Sequence, residues 1–153
     1  MIRPRSILSF ERLFLSALLL WAVRQALTWG AQVAQFEANP AGRGRSWILA
    51  ALLVGTAIYN LLAWYLAAKR ARLIGKWLAV AAAAISAVLL LFEIFALLQP
   101  GGASLPFKLL ALAASGLTVA AAVPLFRDDA KAWFGEDLFD DNEDDREDEE
   151  PAA

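Results

Sequence analysis

The feature that most constrains this chain is a 23-residue stretch, 46–68, without a single charged side chain. At ~1.5 Å per residue, a helix of that length crosses the ~30 Å hydrocarbon core of a bilayer. Three further segments fit the same reading. Residues 77–98 form a 22-residue apolar run interrupted only by Glu93. Residues 107–126 are charge-free over their last 18, with Pro106 beside the start and Pro124 in the last turn. The first span is weaker, because only 11 residues lie between Arg12 and Arg24. Extended to residues 8–29 it is long enough if both arginines reach toward opposite interfaces along their aliphatic stems. The expected fold is therefore all-α: a transmembrane domain of four helices over residues 1–126, with spans of about 8–29, 46–68, 77–98 and 107–126.

Charge distribution supports this division. Residues 1–126 carry 11 Lys/Arg and 3 Asp/Glu, whereas residues 127–153 carry 3 and 13. With 59% hydrophobic residues against ~45–50% in soluble domains, the body has too few polar side chains to cover a water-facing surface. The segment 30–45 holds Asn39, Pro40, Gly42 and Gly44 and reads as a loop. Gln99-Pro100-Gly101-Gly102 marks another break, and 69–76 is a short basic connector. Trp29, Trp47, Trp64, Tyr65 and Trp77 fall near span ends, where an interfacial aromatic belt belongs. With the N-terminus inside, ten Lys/Arg lie on the cytoplasmic side and four on the other, which places both termini in the cytoplasm. A cleaved signal peptide is the rival reading of the start, but Glu11, Arg12 and Arg24 interrupt the apolar region it needs.

The absence of Cys and His removes thiol redox chemistry, disulfide scaffolds, His-ligated metals and His-activated nucleophiles. No metal or other cofactor is expected. The glycines form no phosphate-binding pattern, and nothing points to nucleic acid.

Glu93 is the sharpest candidate, since an intramembrane carboxylate must be offset by a partner, a proton or water. Arg24 lies five residues before Trp29 and Glu93 five before Leu98, so both sit roughly 7–8 Å from the outer ends of their spans. Matched depth and opposite charge predict an intramembrane pair, with proton handling by Glu93 as the competing role. Asn60 and Thr56 share a face of the second span and are expected to hydrogen-bond between helices, the commoner use of intramembrane amides. Ala51/Gly55 and Ala79/Ala83/Ala87 offer small faces for close approach. Glu11, at the cytoplasmic end of span one, is placed to pair with Arg72 or Lys76, or else simply favours a helix start.

Beyond the spans, residues 127–139 space Ala130, Trp133, Phe134 and Leu138 at near-helical intervals, predicting a short amphipathic surface helix. Trp133, Phe134, Leu138 and Phe139 are its candidate docking residues. Residues 140–150 contain nine acids, so 140–153 is expected to be a disordered acidic tail.

The opening Arg3-Pro4-x-Ser6-Ile7-x-x-Phe10-Glu11-Arg12-Leu13, running into an apolar span, resembles small uncharacterised bacterial four-span membrane proteins that begin RPxS followed by Val or Ile. The resemblance covers the first span and the layout. It implies a bacterial plasma membrane and carries over no functional residue. The expected function is a non-enzymatic integral membrane protein, an accessory or scaffold subunit working with a membrane-protein partner or as a homo-oligomer. The alternative is a small transporter or channel subunit using Glu93, Arg24 and Asn60.

Overall fold

The computed structural model describes residues 3–99 and 104–136, and it is helical throughout its regular segments. Helix α1 spans Arg5–Ala38, α2 Trp47–Trp64, α3 Leu73–Leu98, α4 Leu105–Ala122 and α5 Asp128–Phe134. A π turn, Tyr65–Lys69, prolongs α2, and a 3-10 turn, Val123–Phe126, prolongs α4. With these turns included, four helices are long and apolar enough to cross a membrane. The expected acidic tail, 140–153, and the docking residues Leu138 and Phe139 lie outside the described residues.

Helix α1 departs from the expected span. It runs past Trp29 and through Gly30 for 34 residues, about 51 Å at the α-helical rise, well beyond a bilayer core. One glycine costs a helix only ~1 kcal/mol, and the flanking Gln, Ala and Leu residues favour helix. On this added segment Gln32 Nε2 donates to Gln25 Oε1 at 2.9 Å and to Thr28 Oγ1 at 2.6 Å. The stop comes at Asn39, held extended at φ −76°, ψ 129° because Pro40 follows it. The expected loop 30–45 thus shrinks to the residues between Ala38 and Trp47.

The α2–α3 connection is tighter still. Two residues beyond the π turn, Ala71 at φ 49° takes a left-handed conformation that reverses the chain before Arg72 re-extends it. Gly75, in the first turn of α3, lies flat against the π turn. A Cβ there would overlap the Ala67 nitrogen and the Leu66 carbonyl carbon.

Four antiparallel helices result, with both described termini at one end, called proximal here. Helix α4 packs along α1 on one side and α3 on the other, while α2 lies against α3 and touches α1 only sparsely. Helices α1 and α3 therefore face each other diagonally. Small residues make the close approaches: Ala79, Ala82 and Ala83 of α3 and Ala111, Ala114 and Ala121 of α4 are buried. Ala51 and Gly55 of α2, by contrast, are exposed and form no such seam.

The core sits at the proximal end. Ile7, Phe10 and Phe14 of α1 meet Ala67 and Ala68 of the π turn, Ala79 of α3, Ala121, Leu125 after α4, and Ala130 and Phe134 of α5. The Phe10 and Phe14 rings lie 5.2 Å apart, tilted by 39°. Helix α5 is shorter than the expected 127–139 element, because Gly135 at φ 73° terminates it. Ala130 and Phe134 face the bundle and close its end.

Candidate functional site

The distal half of the bundle encloses a cavity of about 530 Å³ where α1 and α2 part. Each lining helix contributes a stripe at helical spacing. On α1 these are Phe14, Ala17, Leu18, Trp21 and Arg24; on α3, Ala82, Ile85, Ser86, Leu89 and Glu93. Helix α2 supplies Gly55, Thr56, Tyr59 and Asn60, and α4 supplies Ala114, Ser115 and Thr118. Such a volume falls within the ~300–1,000 Å³ of small-molecule sites.

Arg24 and Glu93 meet across this cavity, with Arg24 Nη1 3.7 Å from Glu93 Oε1. At that separation the contact is a charge pair rather than a hydrogen bond. It spans the diagonal of the bundle, so direct packing of α1 on α3 is not what brings the charges together. Two long side chains reach over open space instead. The guanidinium side is 39% exposed and the carboxylate side 17%. Glu93 Oε2 is buried and has no hydrogen-bond partner among the described residues.

The other polar groups of the cavity are largely spent locally. Asn60 Nδ2 donates to the Thr56 carbonyl at 2.8 Å, within α2, which corrects the interhelical role expected of Asn60 and Thr56. An amide four residues beyond a free-edged carbonyl reaches it more easily than it reaches another helix across a cavity. Thr118 Oγ1 likewise donates to the Ala114 carbonyl at 2.9 Å. The interhelical bond comes from Tyr59, whose hydroxyl donates to the Leu78 carbonyl of α3 at 2.8 Å. Tyr59, Ser86, Ser115 and Thr118 escaped the sequence reading. The signal was present on α3, where Ala82, Ser86, Leu89 and Glu93 lie at intervals of four, three and four.

The proximal end carries a second polar cluster. Glu11 pairs with Lys69 at 2.7 Å and Arg3 at 3.0 Å, not with Arg72 or Lys76. The π turn swings Lys69 toward α1, while Lys76 is drawn below α5. There Lys76 is almost fully buried, and its Nζ donates to both carboxylate oxygens of Glu136 at 2.6 and 2.7 Å. It also lies 5.0 Å from the Phe126 ring centre and 5.7 Å from that of Phe134. Trp133, half-buried, donates its Nε1–H to the Ala67 carbonyl of the π turn at 3.1 Å. The Ser6 N–H at the start of α1 donates to Asp129 Oδ2 at 3.2 Å, so α5 caps a helix that lacks a side-chain cap of its own. This hydrogen bond holds the Asp129 carboxyl below its ordinary range. Trp133 and Phe134 thus dock onto this chain's own bundle in the structure, rather than standing free for another surface.

Among the described residues no group of three or more Asp, Glu, His or Cys is arranged to hold a metal ion. No protein-family model, curated protein or solved structure matches the chain.

Proposed function

We propose that this protein is a non-enzymatic accessory or scaffold subunit of a plasma-membrane complex, both termini cytoplasmic, whose partner packs against α2. The observation that carries the reading is the state of that helix. Only 6% of its most apolar window is buried, against 28% for α1 and α4. On the face opposite buried Ala63, the exposed residues Val54, Ile58, Leu61 and Tyr65 recur at intervals of four, three and four. That is the spacing of a helix–helix seam. The ten-to-four excess of Lys/Arg supports the orientation. The bacterial assignment rests on the resemblance of the RPxS-Ile opening.

A photo-crosslinking residue at Ile58 or Leu61 tests this in intact membranes. Capture of one heterologous membrane protein in near-stoichiometric yield is expected, with none from the same residue at Leu91 on α3. Capture of lipid alone from Ile58 and Leu61 would overturn it, and self-capture alone would replace the heterologous complex with a homo-oligomer. A transport role is the second reading, favoured by the Glu93 carboxylate, with one oxygen unpartnered, beside a cavity that also holds Ser86, Ser115 and Thr118. It requires that Glu93→Gln fold normally yet abolish proton-linked flux in vesicles.

A further inference from the structure

The distal cavity has the charge pattern of a ligand it does not complete by itself. Its end near Arg24 and Glu93 presents a cation and an anion side by side, separated by 3.7 Å. Neither charge is saturated by the other. The half-exposed guanidinium keeps donors in excess of this one long contact. The Glu93 carboxylate, which lines the cavity and keeps a small exposed fraction, has no hydrogen-bond donor among the described residues. Oε1 meets Arg24 only at 3.7 Å, Oε2 is unpartnered, and the Thr118 hydroxyl and one of the two Asn60 amide hydrogens are spent within their own helices. Deeper in, Phe14, Ala17, Leu18 and Ala82 make the cavity apolar.

Access comes from the bilayer. Helices α1 and α2 barely touch, and Leu52, Gly55 and Thr56 both line the cavity and remain exposed. A smaller crevice of about 230 Å³ continues the same seam toward Trp29. An entering molecule therefore approaches sideways, from the lipid leaflet at the distal end, with a polar head at the level of the charges and an apolar body below.

The geometry points to a phospholipid whose headgroup carries both a phosphate and a primary ammonium, seated between α1 and α2. Its phosphate faces Arg24, its ammonium donates to the Glu93 carboxylate, and its proximal acyl carbons lie against Phe14 and Leu18. The zwitterion exchanges one long ion pair for two charge-assisted contacts. A choline headgroup brings a cation but no N–H to donate to the carboxylate, and a glycerol headgroup has no cation, so each makes only one charge-assisted hydrogen-bonded contact, the one to Arg24. This site is independent of whatever meets the outer stripe of α2, which lies on a different face.

The test uses the full chain reconstituted in vesicles of equimolar phosphatidylethanolamine, phosphatidylcholine and phosphatidylglycerol, extracted in mild detergent and weighed with its retained lipids by native mass spectrometry. Phosphatidylethanolamine should be retained about tenfold over each of the others, the worth of roughly one charge-assisted hydrogen bond. Glu93→Gln should abolish that preference. Because removing Glu93 also leaves Arg24 unpaired, Gly55→Phe provides the decisive variant. A side chain there enters open space and fills the cavity while leaving both charges in place. It should keep the parent thermal stability and lose the retained lipid. Equal retention of the three lipids by the parent, or an undiminished preference in a stable Gly55→Phe, would overturn the proposal.

Discussion

The two ends of this bundle are held together by different means. At the proximal end, side chains from every helix interlock: Phe10 and Ile7 are fully buried, Gly75 allows backbone contact, and α5 seals the base. At the distal end α1 extends free of α2, and a charge pair bridges a cavity that packing leaves open. In a bilayer lipid tails compete evenly with apolar side chains, so a helix pair holds only where shapes fit closely or polar groups join. The proximal end uses both devices. At the distal end close packing still runs from α1 through α4 to α3. The α1–α2 side is open, with the charge pair reaching across the gap, and that side is the part able to admit another molecule.

The largest test of that contrast is Phe10→Ala. Its fully buried ring belongs to the core shared by all five helices, and the loss should be about 3–5 kcal/mol. Thermal unfolding in detergent measures it, with half-buried Trp21→Ala as the distal comparison expected to cost less. A paired glycine experiment comes next. Gly75→Ala meets the Ala67 and Leu66 backbone and should cost ~1–3 kcal/mol, whereas Gly55→Ala meets nothing and should be neutral or stabilising. Equal effects at the two glycines would erase the distinction between closed and open ends.

The charge pair should give a smaller signal. Glu93→Gln and Arg24→Leu should each destabilise, and the double variant should recover part of the loss. With the guanidinium 39% exposed and the contact at 3.7 Å, coupling on the order of 1 kcal/mol is expected, below the ~3–5 kcal/mol of breaking a fully buried pair. Strict additivity would mean the charges do not interact. The smallest effect concerns Asp129, whose carboxyl is held low by the Ser6 N–H, with the Arg127 charge adding to it. A lowered carboxyl stabilises the fold fully above its ordinary value of ~3.9 and loses that contribution as pH falls through the lowered one. The difference in Tm between the parent and Asp129→Asn should therefore be present at pH 6 and shrink below about pH 4. A constant difference across that range would detach Asp129 from the capping of α1.

What the sequence alone determined is the all-helical class and the four segments apolar and long enough to span a membrane. Charge-free runs of span length leave the backbone no alternative to helix, because only internal hydrogen bonding satisfies it in lipid. That Arg24 and Glu93 are opposite charges inside spans one and three was likewise legible, but the count that gave them equal depth used an end at Trp29, and α1 runs on to Ala38. What only the tertiary structure decided is which faces meet. Whether those charges touch depends on rotation and on the diagonal of the bundle, and counting along a helix carries neither. Glu11 found Lys69 because a π turn rotated the end of α2, and nothing in 65–69 announces that extra residue per turn. Lys76 read as one of several loop cations, yet it is buried because Glu136, sixty residues away, arrives over it. Asn60 turned to its own helix because the cavity removed the neighbour it would have bonded. Local composition dictates helices, while the pairing of distant polar groups is decided by the space that packing leaves between them.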